Sequence, residues 1–260
     1  MGIVSTRLMG GLGNMLFEIA ASYSTALRDG KEMICDVTDI QMPHKPYTYY
    51  TNNILRKVKF SNELPNLGYI GENGFHYTPI PKIDGNVKLI GHFQSEKYFI
   101  EHRNEILELF EIDDKTKNHL LEKYGEIINQ DTCSIHIRRG DYLGLPTHHP
   151  TQSIDYYKEA IQIIGEEKHF LVFSDDIEWC KENFDFLNNK TFISGNQDYE
   201  DLYLMSMCKN NIIANSTFSW WGAWLNKNEN KQVIIPSKWF GISNSHLNTN
   251  DLYCDKWIKL

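Results

Sequence analysis

From about residue 131 onward, short apolar runs alternate with segments of helical spacing. The run 132–137 is β-branched and reads as a strand. Residues 154–164 put Ile154, Tyr157, Ala160, Ile161 and Ile164 on one helical face. The same alternation gives strand 169–174, helix 176–184, strand 191–194, helix 199–208, strand 211–214, helix 217–226 and strand 232–236. Short, continuously apolar strands separated by helices predict a parallel sheet covered on both faces.

The opening of the chain repeats the theme. Residues 3–9 read as a strand, Gly10–Asn14 as a turn, and 15–28 as a helix carrying Leu16, Ile19, Tyr23 and Leu27 at helical intervals. A strand at 33–36 follows. Residues 41–80, rich in Pro, Tyr, Asn and Gly, read as loop, where binding surfaces are often built. Strand 87–93 and helices 96–110 and 114–129 complete an N-terminal half, 1–130, set against a C-terminal half, 131–260.

Composition narrows the function classes. The 260 residues carry 41% hydrophobic and 13% aromatic side chains, an ordinary globular balance. No apolar stretch approaches the roughly 20 residues that span a bilayer, and no secretory leader is evident, so a cytoplasmic protein with at most peripheral membrane contact is expected. Five dispersed cysteines with no Cys-x-x-Cys spacing point to reduced thiols rather than a disulfide framework or zinc site. A formal net charge of −8 argues against nucleic acid as partner.

Candidate chemistry gathers where strands end. His136, Arg138, Arg139 and Asp141 follow strand 132–137, at the edge where open α/β sheets bind ligands. Paired guanidiniums there match the oxygens of a diphosphate; the plainer alternative is an Arg–Asp surface pair. Gly10-Gly11-Leu12-Gly13-Asn14 lacks the third glycine of a dinucleotide fingerprint, since Leu16 stands in its place. What remains is close backbone approach at a helix start, or a structural turn. Ser174, Asp175 and Asp176 end a strand and open a helix; one of them is the N-cap, and the others suit ribose hydroxyls or guanine N–H groups. Ser216, Thr217 and Ser219 at a helix start form a phosphate seat, whereas Trp220, Trp221 and Trp224 pack that helix. No Asp-x-Asp triplet is present, so a manganese-dependent sugar transferase lacks its usual signature.

Taken in order, Gly-Gly-Leu-Gly-Asn, His-x-Arg-Arg-x-Asp, Phe-Ser-Asp-Asp, Asp-Leu-Tyr-Leu-Met-Ser and Ile-Ile-Ala-Asn-Ser-Thr-Phe-Ser-Trp-Trp-Gly-Ala-Trp resemble the α-1,2-fucosyltransferases of glycosyltransferase family 11. The resemblance covers residues from about 5 to 240. It implies an α/β fold of GT-B-like type, with two Rossmann-like halves facing a central cleft: an acceptor-side half at 1–130 and a GDP-fucose-binding half at 131–260. It implies inverting transfer of fucose from GDP-fucose to the 2-hydroxyl of a terminal β-galactoside, with no metal or other cofactor. Carried over, Arg138 clamps the β-phosphate and His136 and Asp201 contact guanine. Asp175 or Asp176 serves the ribose, Ser216, Thr217 and Ser219 cradle the pyrophosphate, and Gly13 and Asn14 approach the fucose. Arg139 locks the loop through Asp141. The base for the acceptor hydroxyl stays open among Asp141, His148, His149 and Asp36. Another nucleotide-sugar transferase of GT-B type, or a non-catalytic nucleotide-sugar-binding protein, are the alternatives.

Overall fold

A computed structural model describes residues 2–41 and 44–260; Met42 and Pro43, within the expected loop 41–80, lie outside the described residues. The chain forms two compact units. The first comprises Met1–Asp113 with Leu247–Cys254, the second Asp114–His246 with Asp255–Leu260.

In the first unit, β1 (Ile3–Met9) leads into α1 (Leu12–Arg28), followed by β2 (Glu32–Met33), β3 (Cys35–Gln41), β4 (Phe60–Ser61), β5 (Gly68–Gly71) and β6 (Val87–Ile90). The strands are parallel in the order β4-β3-β1-β6-β5, with β2 also beside β1. Strand order therefore reverses between β1 and β6, making a topological switch point there. α1 is buried along most of its length, with Met15, Leu16, Phe17 and Ile19 fully covered.

Two expectations change here. The loop 41–80 contains β4 and β5, whose glycine and exposed Tyr69 hide an edge strand from apolar patterning. The helix expected at 96–110 is two 3-10 turns followed by the short α2 (Arg103–Leu109). Phe99 breaks the run with φ −145° and ψ 3°, which sends its ring into the core beside Phe17.

The second unit begins with α3 (Asp114–Ile128) and continues through β7 (Thr132–Ile137), α4 (Ile154–Ile164), β8 (His169–Ser174), α5 (Ile177–Asn183), β9 (Lys190–Phe192), α6 (Asp198–Met207), β10 (Asn210–Ile212), α7 (Thr217–Leu225), β11 (Val233–Ile235) and β12 (Ile258–Lys259). Its parallel sheet runs β12-β11-β10-β7-β8-β9. This is the doubly wound order of a Rossmann fold, with the switch point between β7 and β10. Every residue of β7 is buried, as expected of a central strand covered on both faces. The two units meet the expectation of an α/β fold built from Rossmann-like halves. The division falls at Asp113/Asp114 rather than 130/131, because Leu120 and Tyr124 of α3 bury their side chains and Lys123 and Tyr124 hydrogen-bond to Asn196, just before α6.

Local sequence explains the element ends. Ser153 caps α4 by accepting the Tyr156 N–H at 3.2 Å, and Gly165 ends it at φ +107°. Glu200 accepts the Gln197 N–H at the start of α6. Trp220, Trp221 and Trp224 of α7 are all buried and pack on one another, and Trp220 also lies against Trp257. All five cysteines are buried single thiols. Among the described residues, no helix is long and apolar enough to cross a membrane.

Candidate active site

The loops after β7 and β10 flank the switch point of the second unit, and they carry the conspicuous arginines and hydroxyls. The register pairs Ile137 with Ser174, so Arg138 and Arg139 leave β7 alongside Asp175 and Asp176. Arg138 bonds Asp175 Oδ2 at 3.0 Å and Asp141 Oδ1 at 2.7 Å, with its guanidinium 5.4 Å from the Tyr142 ring centre. The Arg139 N–H donates to Asp175 Oδ1 at 2.9 Å and its Nε to Asp176 Oδ2 at 3.0 Å, while its guanidinium stacks 3.7 Å over Trp179. Asp176 also caps α5, accepting the Trp179 N–H at 3.4 Å. Arg139 is thus a loop lock, working through Asp176 and Trp179; Asp141, the partner expected for it, pairs with Arg138.

Gly140 is required between the arginines and Asp141, since a Cβ there would stand 2.6 Å from Asp175 Oδ2. Tyr142 donates its hydroxyl to the Asn215 carbonyl at 2.9 Å and stacks on His149, tying the β7 loop to the β10 loop. Burial pushes the Tyr142 phenol up to about 12, which keeps it a donor.

His136 is buried against Phe218 of α7, and its Nδ1 finds no partner. Burial, then the neighbouring Arg138 charge, lowers the imidazole to about 3. Asn215 Oδ1 and His149 Nδ1 are likewise buried without partners. A buried polar atom left unpaired costs about 1–3 kcal/mol, so three around one strand edge mark a place built to meet polar ligand groups.

The hydroxyls of the β10 loop are not equivalent. Ser216 is the N-cap of α7 without a side-chain cap bond, and Thr217 opens the helix. Ser219 is fully buried and donates its hydroxyl to the Ser216 carbonyl at 3.3 Å. Asp201 belongs to a separate group on α6: Asn196 donates to it at 2.8 Å, and burial raises it to about 6, with Asp198 and Glu200 adding to the rise.

In the first unit, the Gly10 turn follows β1. Gly10 sits at φ +71°, and a Cβ there would overlap the Asn14 amide. Gly13 is buried in the first turn of α1, and Asn14 Oδ1 accepts from Gln94 Nε2 at 3.2 Å across the β1/β6 switch point. Among the sequence-derived base candidates, Asp36 is held in a buried ion pair with Lys88 at 2.9 Å. Burial opposes its ionisation, but two Thr38 hydrogen bonds and Lys88 hold it below the usual carboxylate range. His148 contacts Thr147 Oγ1 at 3.2 Å, and His149 is wedged between Tyr142 and Phe240 with its ring basicity lowered by burial. Trp179 and Gln94 escaped sequence reasoning. Trp179 stands three residues after Asp176, a helical spacing that could have flagged it.

Known proteins resemble this chain in sequence and in fold. The profile described as Glycosyl transferase family 11 matches residues 75–260. An alpha-1,2-colitosyltransferase of Escherichia coli is 32% identical over 295 aligned positions, covering 100% of this chain and 99% of the relative. The O-antigen biosynthesis glycosyltransferase WbnK, also from Escherichia coli, is 32% identical, with 97% and 99% covered. In fold, the chain resembles NodZ alpha-1,6-fucosyltransferase co-crystallized with GDP, at a TM-score of 0.58 and 14% identity, covering 85% of this chain and 91% of that one.

Proposed function

Because the chain belongs to glycosyltransferase family 11, and is thereby a glycosyltransferase, we propose that it transfers fucose from GDP-fucose to the 2-hydroxyl of a terminal β-galactoside, with inversion and without a metal. The observation that carries this reading is Arg138 at the β7/β10 switch point, on the same strand edge as the unpartnered nitrogen of His136. Departure of GDP leaves negative charge on the β-phosphate and an oxocarbenium-like sugar, and a fixed guanidinium stabilises that separation without reorganising. Arg138 takes the β-phosphate, and Ser216, Thr217 and the first N–H groups of α7 take the remaining pyrophosphate oxygens. His136 and Asp201 contact guanine. Asp175 keeps the ribose role through lone pairs that its arginine bonds leave open. Asn14 and Gly13 serve the sugar and acceptor side. The surroundings suggested are a cytoplasmic enzyme of surface-glycan assembly.

The full-length likeness to a colitosyltransferase favours one second reading, a colitosyl donor. Colitose lacks the 3-hydroxyl of fucose, and a site built to bond that hydroxyl rejects the analogue by a large factor. Purified protein is therefore assayed with GDP-fucose and GDP-colitose on an array of β-galactosides, with GDP and UDP as inhibitors and EDTA as a separate arm. Fucosyl product formation, strong inhibition by GDP alone and indifference to EDTA support the proposal. Preference for colitose replaces the donor; abolition by EDTA removes the metal-free mechanism.

A further inference from the structure

A diphosphate held at the second unit's switch point meets two loops at once, and its grip depends on the spacing between them. Arg138 leaves β7, whereas Ser216 and Thr217 open α7 after β10. Tyr142 touches both sides. Its ring lies 5.4 Å, centre to guanidinium carbon, from Arg138. Its hydroxyl donates at 2.9 Å to the carbonyl of Asn215, the residue before the Ser216 N-cap. We propose that Tyr142 is a positioning residue that sets Arg138 and the start of α7 at the spacing of one diphosphate, a role that rests on the transferase reading above.

The loop carrying Tyr142 is pinned from several directions, all within the second unit. Tyr142 sits in a 3-10 turn, Asp141–Gly144, where the Leu143 N–H donates to the Arg139 carbonyl at 2.9 Å and the Leu145 N–H to the Tyr142 carbonyl at 3.0 Å. His149 stacks on the Tyr142 ring at 5.0 Å, and Phe240 packs on His149 at 5.6 Å. The His148 carbonyl accepts the Gly241 N–H at 2.9 Å, and the Thr147 carbonyl accepts the Ser243 N–H at 2.8 Å. Position 241 must be glycine for this contact, because a Cβ there would stand 2.3 Å from the Thr147 carbonyl oxygen. The Asn215 amide closes the knot, donating to the Pro150 carbonyl at 3.0 Å and the Trp239 carbonyl at 2.9 Å. The phenol therefore bonds a carbonyl that is itself held in place, the supporting layer a precise site requires.

Both contacts of Tyr142 outlast the arrival of an anion. A diphosphate competes with Asp141 and Asp175 for the guanidinium N–H groups of Arg138. The Tyr142 ring offers Arg138 a π face instead, for which a diphosphate does not compete. Its hydroxyl stays protonated, since burial pushes the phenol up to about 12, and so it donates throughout the neutral range. Removing that hydroxyl takes away the bond to the Asn215 carbonyl and leaves the arginine loop free to shift against the start of α7. A misplacement of about 1 Å in such a site costs on the order of 100-fold, so a single bond that fixes the spacing acts on the whole clamp.

The experiment titrates GDP and GMP by calorimetry against wild type, Tyr142→Phe, Arg138→Ala and the double variant, with thermal melts on each. GMP lacks the β-phosphate, so the ratio of the two affinities reads the clamp, while GMP binding alone reports an intact nucleoside site. Wild type is expected to prefer GDP about tenfold or more, the scale of charge-assisted hydrogen bonds. Tyr142→Phe keeps the ring; it should bind GMP as wild type does and lose about three- to tenfold in GDP affinity, the scale of one hydrogen bond. Arg138→Ala should lose most of the GDP preference. Adding Tyr142→Phe to it should cost nothing more, because no second clamp is left to align. A wild type with no preference for GDP, or an Arg138→Ala variant that keeps it, overturns the clamp and the positioning role with it. A preference that Arg138→Ala removes and Tyr142→Phe leaves whole, by unchanged GDP affinity or by equal loss for both nucleotides, overturns the role of Tyr142 alone. So does a Tyr142→Phe effect of equal size with and without Arg138.

Discussion

Arg138 shares its guanidinium between two carboxylates, and a diphosphate would compete for the same N–H groups. The two arginines face three carboxylates, Asp141, Asp175 and Asp176, so this cluster carries a net charge of −1 before any anion arrives. Asp175 is tied to both the backbone and the side chain of the arginine pair, whereas Asp141 is half-exposed and bonded to Arg138 alone among these groups. Asp141 is the carboxylate that gives way. Asp141→Asn should therefore tighten GDP binding about two- to fivefold, the scale of an exposed ion pair, with a smaller gain at high salt; titration calorimetry at two ionic strengths reads both. Arg138→Ala should lose about 2.7–4 kcal/mol of barrier stabilisation, seen as a fall of two to three decades in kcat with an unchanged melting temperature. The double arginine was legible in the sequence because its residue types are costly to place together without an anion. Its partners were not. The pairing of Arg138 with Asp175 and of Arg139 with Asp176 follows from the β7–β8 register, which brings together residues 37 positions apart.

Among elements, the second unit was read from the sequence nearly in full because its strands are buried on both faces and show as unbroken apolar runs. β12, two residues at the sheet edge, offers no such run. The contact of Glu18 on α1 with His92, two residues past β6, was invisible for a related reason: the 3.2 Å approach exists only once the β1–β6 pairing is known. Helix–helix contact gives the next prediction. Gly222 of α7 lies against α6, where a Cβ would stand 2.9 Å from Met205 Cβ. Both helices are buried there, so neither can slide aside cheaply. Gly222→Ala should destabilise the fold by about 1–3 kcal/mol through overpacking, read as a lower urea midpoint with an unchanged slope. Since α7 also carries Ser216 at its N-cap and Thr217 in its first turn, the same variant should weaken GDP binding if the helix shifts. Retained stability would show that the α6–α7 contact yields.

For the whole molecule, one buried and one half-buried group of the second unit pull its pH dependence in opposite directions. His136 titrates at about 3 in the folded chain and near 6.5 unfolded. The unfolded chain therefore binds the extra proton first, and stability is lost as pH falls below 6.5, by about 2 kcal/mol between pH 7 and 5. Asp201 titrates at about 6 when folded and near 3.9 unfolded. Its ionisation opposes folding above pH 6, and that cost is relieved as pH falls toward 4, by roughly 1–2 kcal/mol at pH 5. Wild type should show little net change over this range, His136→Gln should gain stability relative to it toward pH 5, and Asp201→Asn should lose it, by denaturant titration at each pH. Function separates the two groups further. A carboxylate that accepts guanine N–H bonds must be ionised, so GDP affinity should fall by up to about tenfold per unit below pH 6. Asp201→Asn should abolish that slope at the cost of weaker binding at neutral pH. A GDP affinity that stays flat through pH 6 in wild type would remove Asp201 from guanine recognition, and its raised carboxyl would then belong to the packing of α6 against α3.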